Sequence, residues 1–294
     1  MSREVTEAHY LHERSGLEAV LRPPVKHPTA LCWVPGREEL LVATRDGQLV
    51  NVDPVLGTRV VAEGIGEAAV LDISSDRKRY LAVSREGRWQ VGTMKGEVLS
   101  RGGHSFLGGM QGFFAGEYVL ISGNSDVGRR LLIFKGNKRA SRVALPERVI
   151  ATLDFEGKPL LCRSTQAGLK VLRGFTKTFP KDLESTIHRL RRSHEHILGF
   201  TTTGVCVWGQ EGGMPRSMRL PDLTAGDISK DGRYLGLGTR TGAVALARMD
   251  RIDKRIRPDL VRAFNGAVTS VAFSTRGRWL ATGAEGLRIW SWED

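Results

Sequence analysis

The segment Val268-Thr269-Ser270-Val271-Ala272-Phe273-Ser274-Thr275-Arg276-Gly277-Arg278-Trp279-Leu280-Ala281-Thr282-Gly283, continued by Gly286-Leu287-Arg288-Ile289-Trp290, reads as three strands joined by two turns. Val268 to Phe273 is a short apolar and β-branched run. Thr275-Arg276-Gly277 has the composition of a tight hairpin, and Trp279 to Thr282 is a second apolar run. Gly286 ends the next turn and releases a third run.

The same order of features recurs along the chain. Strands ending in a glycine turn stand at residues 40–44 before Gly47, 80–84 before Gly87, 118–122 before Gly128 and 160–162 before Gly168. Three more stand at 197–200 before Gly204, 234–237 before Gly242 and 279–282 before Gly286. These glycines are 40, 41, 40, 36, 38 and 44 residues apart, a period that marks repeated supersecondary units. An apolar segment precedes each unit's strand, as at 30–33 or 70–73, across a polar turn such as Pro35-Gly36-Arg37 or Lys230-Asp231-Gly232. A further segment follows, as at 58–61. Four short strands per unit of about forty residues describe a propeller blade. The expected fold is therefore all-β, a seven-bladed β-propeller of four-stranded blades.

Ring closure adds a second expectation. The last unit stops at Trp292-Glu293-Asp294 with three strands, while Leu17-Glu18-Ala19-Val20-Leu21 is a spare apolar strand ahead of the first unit. An N-terminal strand closing the last blade removes the open edge. The expected organisation is an arm over residues 1–16 and one propeller over 17–294. The stretch from Asp182 to Ile197 has apolar spacings compatible with a helix, but the repeat favours a strand through Ile187 and Leu190.

At these residues the chain resembles the WD40-repeat family. The 268–290 segment is similar to one repeat nearly throughout, and Gly226 to Gly242 is a second match. Trp208 and Trp290 keep the Trp of the Trp-Asp signature, and Asp53 keeps only the Asp. Gly103-His104 resembles the family's Gly-His dipeptide, with His27 at the equivalent point of the first unit. The resemblance implies that His27 and His104 hydrogen-bond Asp46 and Asp126, with Ser122 in the second network. Trp279 and Trp290, on apolar strand positions of the best-preserved repeat, are expected to be buried between blades.

Composition limits the function. The 294 residues are 40% hydrophobic and 26% charged, with a formal net charge of +12, and the mean hydropathy is −0.22. No apolar run approaches the roughly 18 residues that span a bilayer, and the first residues lack the apolar core of a secretory signal. The expected location is cytoplasmic, with no transmembrane segment. Cys32, Cys162 and Cys206 are far apart without CxxC spacing, which reads as reduced core thiols. Arginines number 33 against 11 lysines, a skew that genomic base composition or phosphate binding explains equally.

Family topology sorts these charges onto two faces. Arg77, Lys78, Arg79, Lys138, Arg139, Arg191, Arg192, Lys254 and Arg255 fall at the hairpins that join first to second and third to fourth strands, which makes that face the more positive. Arg45, Arg85 and Arg240 stand two residues before turn glycines on the opposite face. Catalytic motifs do not emerge. His188, His194 and His196 sit among Arg189, Arg191 and Arg192, which oppose a cation. The glycines from Gly102 to Gly116 lack Gly-Lys-Ser/Thr. No cofactor, metal or catalytic residue is assigned. The leading reading is a non-catalytic WD40-type scaffold mediating protein–protein interaction within a larger complex. The alternatives are a basic propeller binding nucleic acid or another anionic surface, and a propeller enzyme with an axial site.

Overall fold

The computed structural model of the protein describes residues 17–292 except 116, 127, 136–137, 145–148, 156–157, 166–167, 172–186, 194–195, 202, 210–215 and 253–257, and it leaves aside the side chains of 109, 138–144, 149–171, 187–190 and 192–193.

After β1 (Leu17–Leu21), blade one is β2 (Pro28–Trp33), β3 (Leu40–Thr44), β4 (Leu49–Asp53) and β5 (Gly57–Ala62). Blade two is β6 (Ala68–Ile73), β7 (Arg79–Ser84), β8 (Arg88–Thr93) and β9 (Val98–Gly103). Blade three is β10 (Gly108–Ala115), β11 (Tyr118–Ser125), β12 (Gly128–Lys135) and β13 (Lys138–Ala144). Next comes a sheet of three strands, β14 (Val149–Phe155), β15 (Lys158–Thr165) and β16 (Gly168–Val171). Blade four is β17 (Ile187–Ser193), β18 (His196–Thr201), β19 (Gly204–Gly209) and β20 (Arg216–Arg219). Blade five is β21 (Leu223–Ile228), β22 (Tyr234–Thr239), β23 (Ala243–Arg248) and β24 (Leu260–Arg262). Blade six is β25 (Ser270–Phe273), β26 (Leu280–Gly283) and β27 (Leu287–Trp292), completed by β1.

This corrects the expected seven four-stranded blades: among the described residues the propeller has six four-stranded blades. The unit between residues 149 and 171 makes only the three-stranded sheet β14–β15–β16 among the described residues. The glycine period counts that unit because it retains a hairpin and a Gly turn, and those local signals do not require a fourth strand. The strand expected through Ile187 and Leu190 is β17, while residues 182–186 and 194–195 lie outside the described residues, and no α-helix occurs among the described residues, only a single 3-10 turn at Met249–Arg251.

Closure follows the expected course. β1 runs antiparallel to β27, with Leu17 opposite Trp292 and Ala19 opposite Trp290. The first and last described strands thus share a sheet, and the outer edge of β27 is covered.

Each blade is locked by small hydroxyl residues at strand ends. The Thr239 Oγ1 donates to the Ala243 carbonyl and accepts the Ala243 N–H at 3.0 Å, tying the end of β22 to the start of β23. Thr44 and Gln48 repeat the device. At the hairpins, Ser229 donates to the Asp231 carboxylate at 2.6 Å and accepts the Tyr234 N–H, and Ser74 does the same with Asp76 and Arg79. Such local side-chain to backbone bonds compete with helix and favour turns.

The apolar core lies between blades. Tyr234, Val244 and Val261 of blade five pack with Val271, Phe273, Leu280 and Trp290 of blade six. Glycine permits the approach at Gly238, where a Cβ would stand 2.3 Å from Val268 Cγ1. Gly87, at φ +81, is required for a second reason: a Cβ there would meet the His104 carbonyl oxygen at 2.0 Å.

Candidate interaction surface

The hairpins between first and second strands of blades six, one and two are fastened to one another. The Gly36 N–H donates to Thr275 Oγ1 at 3.0 Å, joining the β2–β3 hairpin to the β25–β26 hairpin. Arg77, in the β6–β7 hairpin at φ +62, lays its guanidinium over Gly36, where a Cβ would be 2.7 Å from Nη2. The Met94 N–H donates to the Lys78 carbonyl at 3.0 Å, and Arg59 donates to the Met94 carbonyl at 3.2 Å. One continuous rim thus carries exposed Arg276, Arg37, Arg77, Lys78, Lys95 and Arg59.

Its acidic residues are engaged locally. Glu39 takes Arg37 and Asn51, and Arg276 stands 3.9 Å from Glu38. The Ser74 hydroxyl and the Lys78 N–H hold the Asp76 carboxyl below the usual carboxylate range. Arg77 and Lys78 form no ion pair among the described residues, so their charge faces solvent. On the outer β4–β5 hairpin, Val55 and Leu56 are 89% and 86% exposed, their N–H groups gathered by Asp53 Oδ1.

Not every residue assigned to this face belongs there. Arg79 is half-buried, its guanidinium 5.2 Å from the centroid of the Phe114 ring. Arg191 is turned inward, a correction of its expected role. It donates to the carbonyls of Gly226 and Val271, both at 3.0 Å, and lies 3.8 Å from the Asp227 carboxylate. It therefore bridges the first strands of blades four, five and six. The first strand of a blade has no neighbour on its axial side, so its carbonyls need a donor from elsewhere, and a long side chain one strand away supplies it. The side chains of Lys138, Arg139 and Arg192, and the whole of Lys254 and Arg255, lie outside the described residues.

On the opposite face Arg45 and Arg240 are exposed, and Arg85 pairs with Glu67 at 3.3 Å. Two of these three charges thus face solvent and the third is compensated.

The expected His–Asp networks take other forms. His27 is exposed at φ +47 with its N–H given to the Glu285 carbonyl, so its backbone serves the closing seam while its ring faces solvent. Asp46 accepts the Thr44 hydroxyl instead. The His104 ring stands edge-on to Phe106, centroids 4.7 Å apart, with Nε2 enclosed and unbonded, and Asp126 is exposed. Ser122 is buried and accepts from Arg129, which also donates to Gln111 and Asn124. Burial pulls the Arg129 pKa down to about 10. Trp290 is buried, its Nε1 donating to Thr282 Oγ1 at 2.7 Å. Trp279 is only half-buried, against the core shared by blades one and six.

Near the axis the Cys32 thiol is pushed up by loss of water and by the Asp72 carboxylate, so it is a protonated thiol at neutral pH. Cys206 is buried. The side chains of Cys162, His188 and His194 lie outside the described residues. No cluster of three or more His, Cys, Asp or Glu side chains suited to a metal occurs among the described residues, and no helix among them is long and apolar enough to cross a membrane.

Sequence reasoning missed the seam residues Asp72 and Asp227 and put the seam residue Arg191 on the hairpin face. Asp72 and Asp227 hold equivalent positions in two repeats, a signal that alignment of the units would reveal.

No protein-family model matches the chain, and no curated protein does. Solved structures do. The WD40 β-propeller domain of Doa1 superposes with a TM-score of 0.72 at 13% identity over 95% of this chain and 98% of that one. The β-propeller domain of Cps50 (Swd1) from Myceliophteria thermophila gives 0.75 at 12% identity, covering 94% and 100%. The chain has the fold of these WD40 β-propeller domains.

Proposed function

We propose that the protein is a non-catalytic scaffold that docks an acidic partner protein on the face formed by its first-to-second and third-to-fourth strand hairpins. The observation that carries this reading is the rim of Arg276, Arg77, Lys78 and Arg59, fastened hairpin to hairpin and accompanied by the exposed Val55-Leu56 tip. A fixed rim loses little entropy on binding, and its charge steers encounter. Membership of a larger complex and a cytoplasmic location belong to the same proposal. The likeness to the two WD40 domains supports the kind of platform and no particular partner.

The test is affinity capture of partners from the source cells by wild type, by the double variant Arg77→Glu/Lys78→Glu, and by Arg45→Glu/Arg85→Glu/Arg240→Glu. The rim variant should lose the main partner while its circular dichroism is unchanged, and the control should retain it. Loss only in the control places the working surface on the other face. Binding to nucleic acid with a steep log–log salt dependence, in place of a protein, would favour the anionic-polymer reading.

A further inference from the structure

A cleft of about 300 Å³ opens at the seam of blades five and six, lined by Arg262, Ala263, Phe264, Asn265, Glu285 and Arg288. That volume is at the lower end of small-molecule sites. The cleft lies at the opposite end of the blades from the basic rim: Arg262 pairs with Ala243 just after the β22–β23 turn, and Glu285 sits in the β26–β27 turn.

Its groups are held in place before any ligand arrives. The Arg288 guanidinium carbon lies 4.8 Å from the centroid of the buried Phe264 ring and 5.9 Å from that of buried Trp290. Stacking on aromatic faces fixes the planar fork that recognises oxyanions in bidentate fashion. Arg262 ends β24 and is exposed, and Arg22, which follows β1 directly, is exposed and adds its charge to the field at Arg288. Partial burial lowers the Arg288 pKa, the Arg22 charge lowers it further, and Glu285 opposes them.

Glu285 offsets one of these charges but forms no ion pair with them among the described residues. Its carboxylate caps the neighbouring turn, accepting the N–H of Asn265 at 3.0 Å and of Gly266 at 3.3 Å. Two guanidinium groups line the cleft against one carboxylate, and the charge of Arg22, outside the lining, adds to the positive field at Arg288. A phosphate monoester carries about −1.5 to −2 at neutral pH with three strong acceptor oxygens, whereas a carboxylate carries one charge.

We infer that this seam cleft is a binding site for a phosphate monoester, held by Arg288 and Arg262. The inference is independent of the rim proposed above. A phosphorylated side chain of a partner and a small phosphorylated metabolite present the same group, and the test separates them.

The probes are a Gly-phosphoserine-Gly peptide, its unphosphorylated form, glycerol phosphate and inorganic phosphate, each titrated into the full chain. Binding is read by calorimetry and by the amide resonances of Asn265 and Gly266. A phosphorylated probe should bind saturably and move those resonances, and the unphosphorylated peptide should not. Arg288→Gln should weaken binding roughly tenfold or more, as expected for loss of a charge-assisted bidentate contact. Glu285→Gln, which keeps an acceptor for the turn but removes a negative charge, should bind as well or better, an outcome that simple loss of structure does not produce. Arg77→Glu/Lys78→Glu should bind phosphate normally even if it loses its protein partner. Tighter binding of the peptide than of glycerol phosphate identifies a protein-borne phosphate, and the reverse or equality a small ligand. The inference is overturned by no shift of Asn265 and Gly266 with any phosphorylated probe, by wild-type affinity in Arg288→Gln, or by Glu285→Gln weakening binding as Arg288→Gln does.

Discussion

The carboxylate of Asp227 accepts the backbone N–H of Phe273 at 2.8 Å, across the seam between blades five and six. Asp72 does the same for Phe114, at 2.7 Å, between blades two and three. In both cases a carboxylate in one blade's first strand reaches the axial edge of the next blade's first strand, where the ladder leaves an N–H without a strand partner. Arg191 adds the complementary donors to Gly226 and Val271.

Asp227→Ala should therefore cost more than an ordinary surface change. It leaves the Phe273 N–H unpaired in a buried setting and removes the carboxylate nearest Arg191, for a loss of about 1–3 kcal/mol. Asp227→Asn retains a carbonyl acceptor and should recover part of it. The midpoints of urea unfolding decide the matter, and an alanine variant as stable as wild type would remove the seam role.

Deleting residues 1–24 takes away β1 and exposes the edge of β27 together with the site of buried Leu17. The melting temperature should fall well below that of the full chain, and the truncated protein should aggregate more readily. An undiminished melting temperature would mean that blade six is stable with three strands.

The two tryptophans of blade six should separate in both stability and quenching. Trp290→Ala should cost about 3–5 kcal/mol, as for a large core aromatic. Trp279→Ala should cost less, because Trp279 is half-buried at the edge of its cluster. Iodide should quench the emission that disappears in Trp279→Phe more than the emission that disappears in Trp290→Phe. Equal quenching would place both rings in the same environment.

Asp76 gives a pH signature. Its carboxyl is held low by the Ser74 hydroxyl and the Lys78 N–H, so its folded pKa lies below the unfolded carboxylate value of about 3.9. The stabilisation is complete above that value and is lost as pH falls through the folded pKa. Ser74→Ala should shrink it, so the difference in unfolding midpoint between the two proteins should narrow on acidification. A difference independent of pH would show that the Ser74 effect is purely one of the turn backbone.

Much of the architecture was legible because blades are local objects. The hairpin at Ser274 to Trp279, the turn at Gly286 and the strand to Trp290 use side-chain to backbone bonds among residues a few positions apart, so composition and period reveal them. The pairing of β1 with β27 was legible too, since a missing strand at one end and a spare one at the other leave a single economical solution. The six four-stranded blades seen among the described residues were not, because the repeat count registers hairpins and cannot tell a three-stranded sheet from a complete blade. His27 and Arg191 mark the same boundary in the candidate surface. A family pattern assigns His27 to Asp46, but its positive φ and the Glu285 carbonyl turn the ring to solvent. A turn-adjacent position puts Arg191 on a face, but the unpaired carbonyls of two other blades draw it inward. The sequence by itself determined the strand period, the hairpin chemistry, the closing strand and the excess of positive charge, since these rest on residues near one another or on bulk counts. Only the tertiary structure decided which arginines are spent on seams, which form the rim and which converge at Phe264 and Trp290, because those partners are brought together by ring closure rather than by the chain.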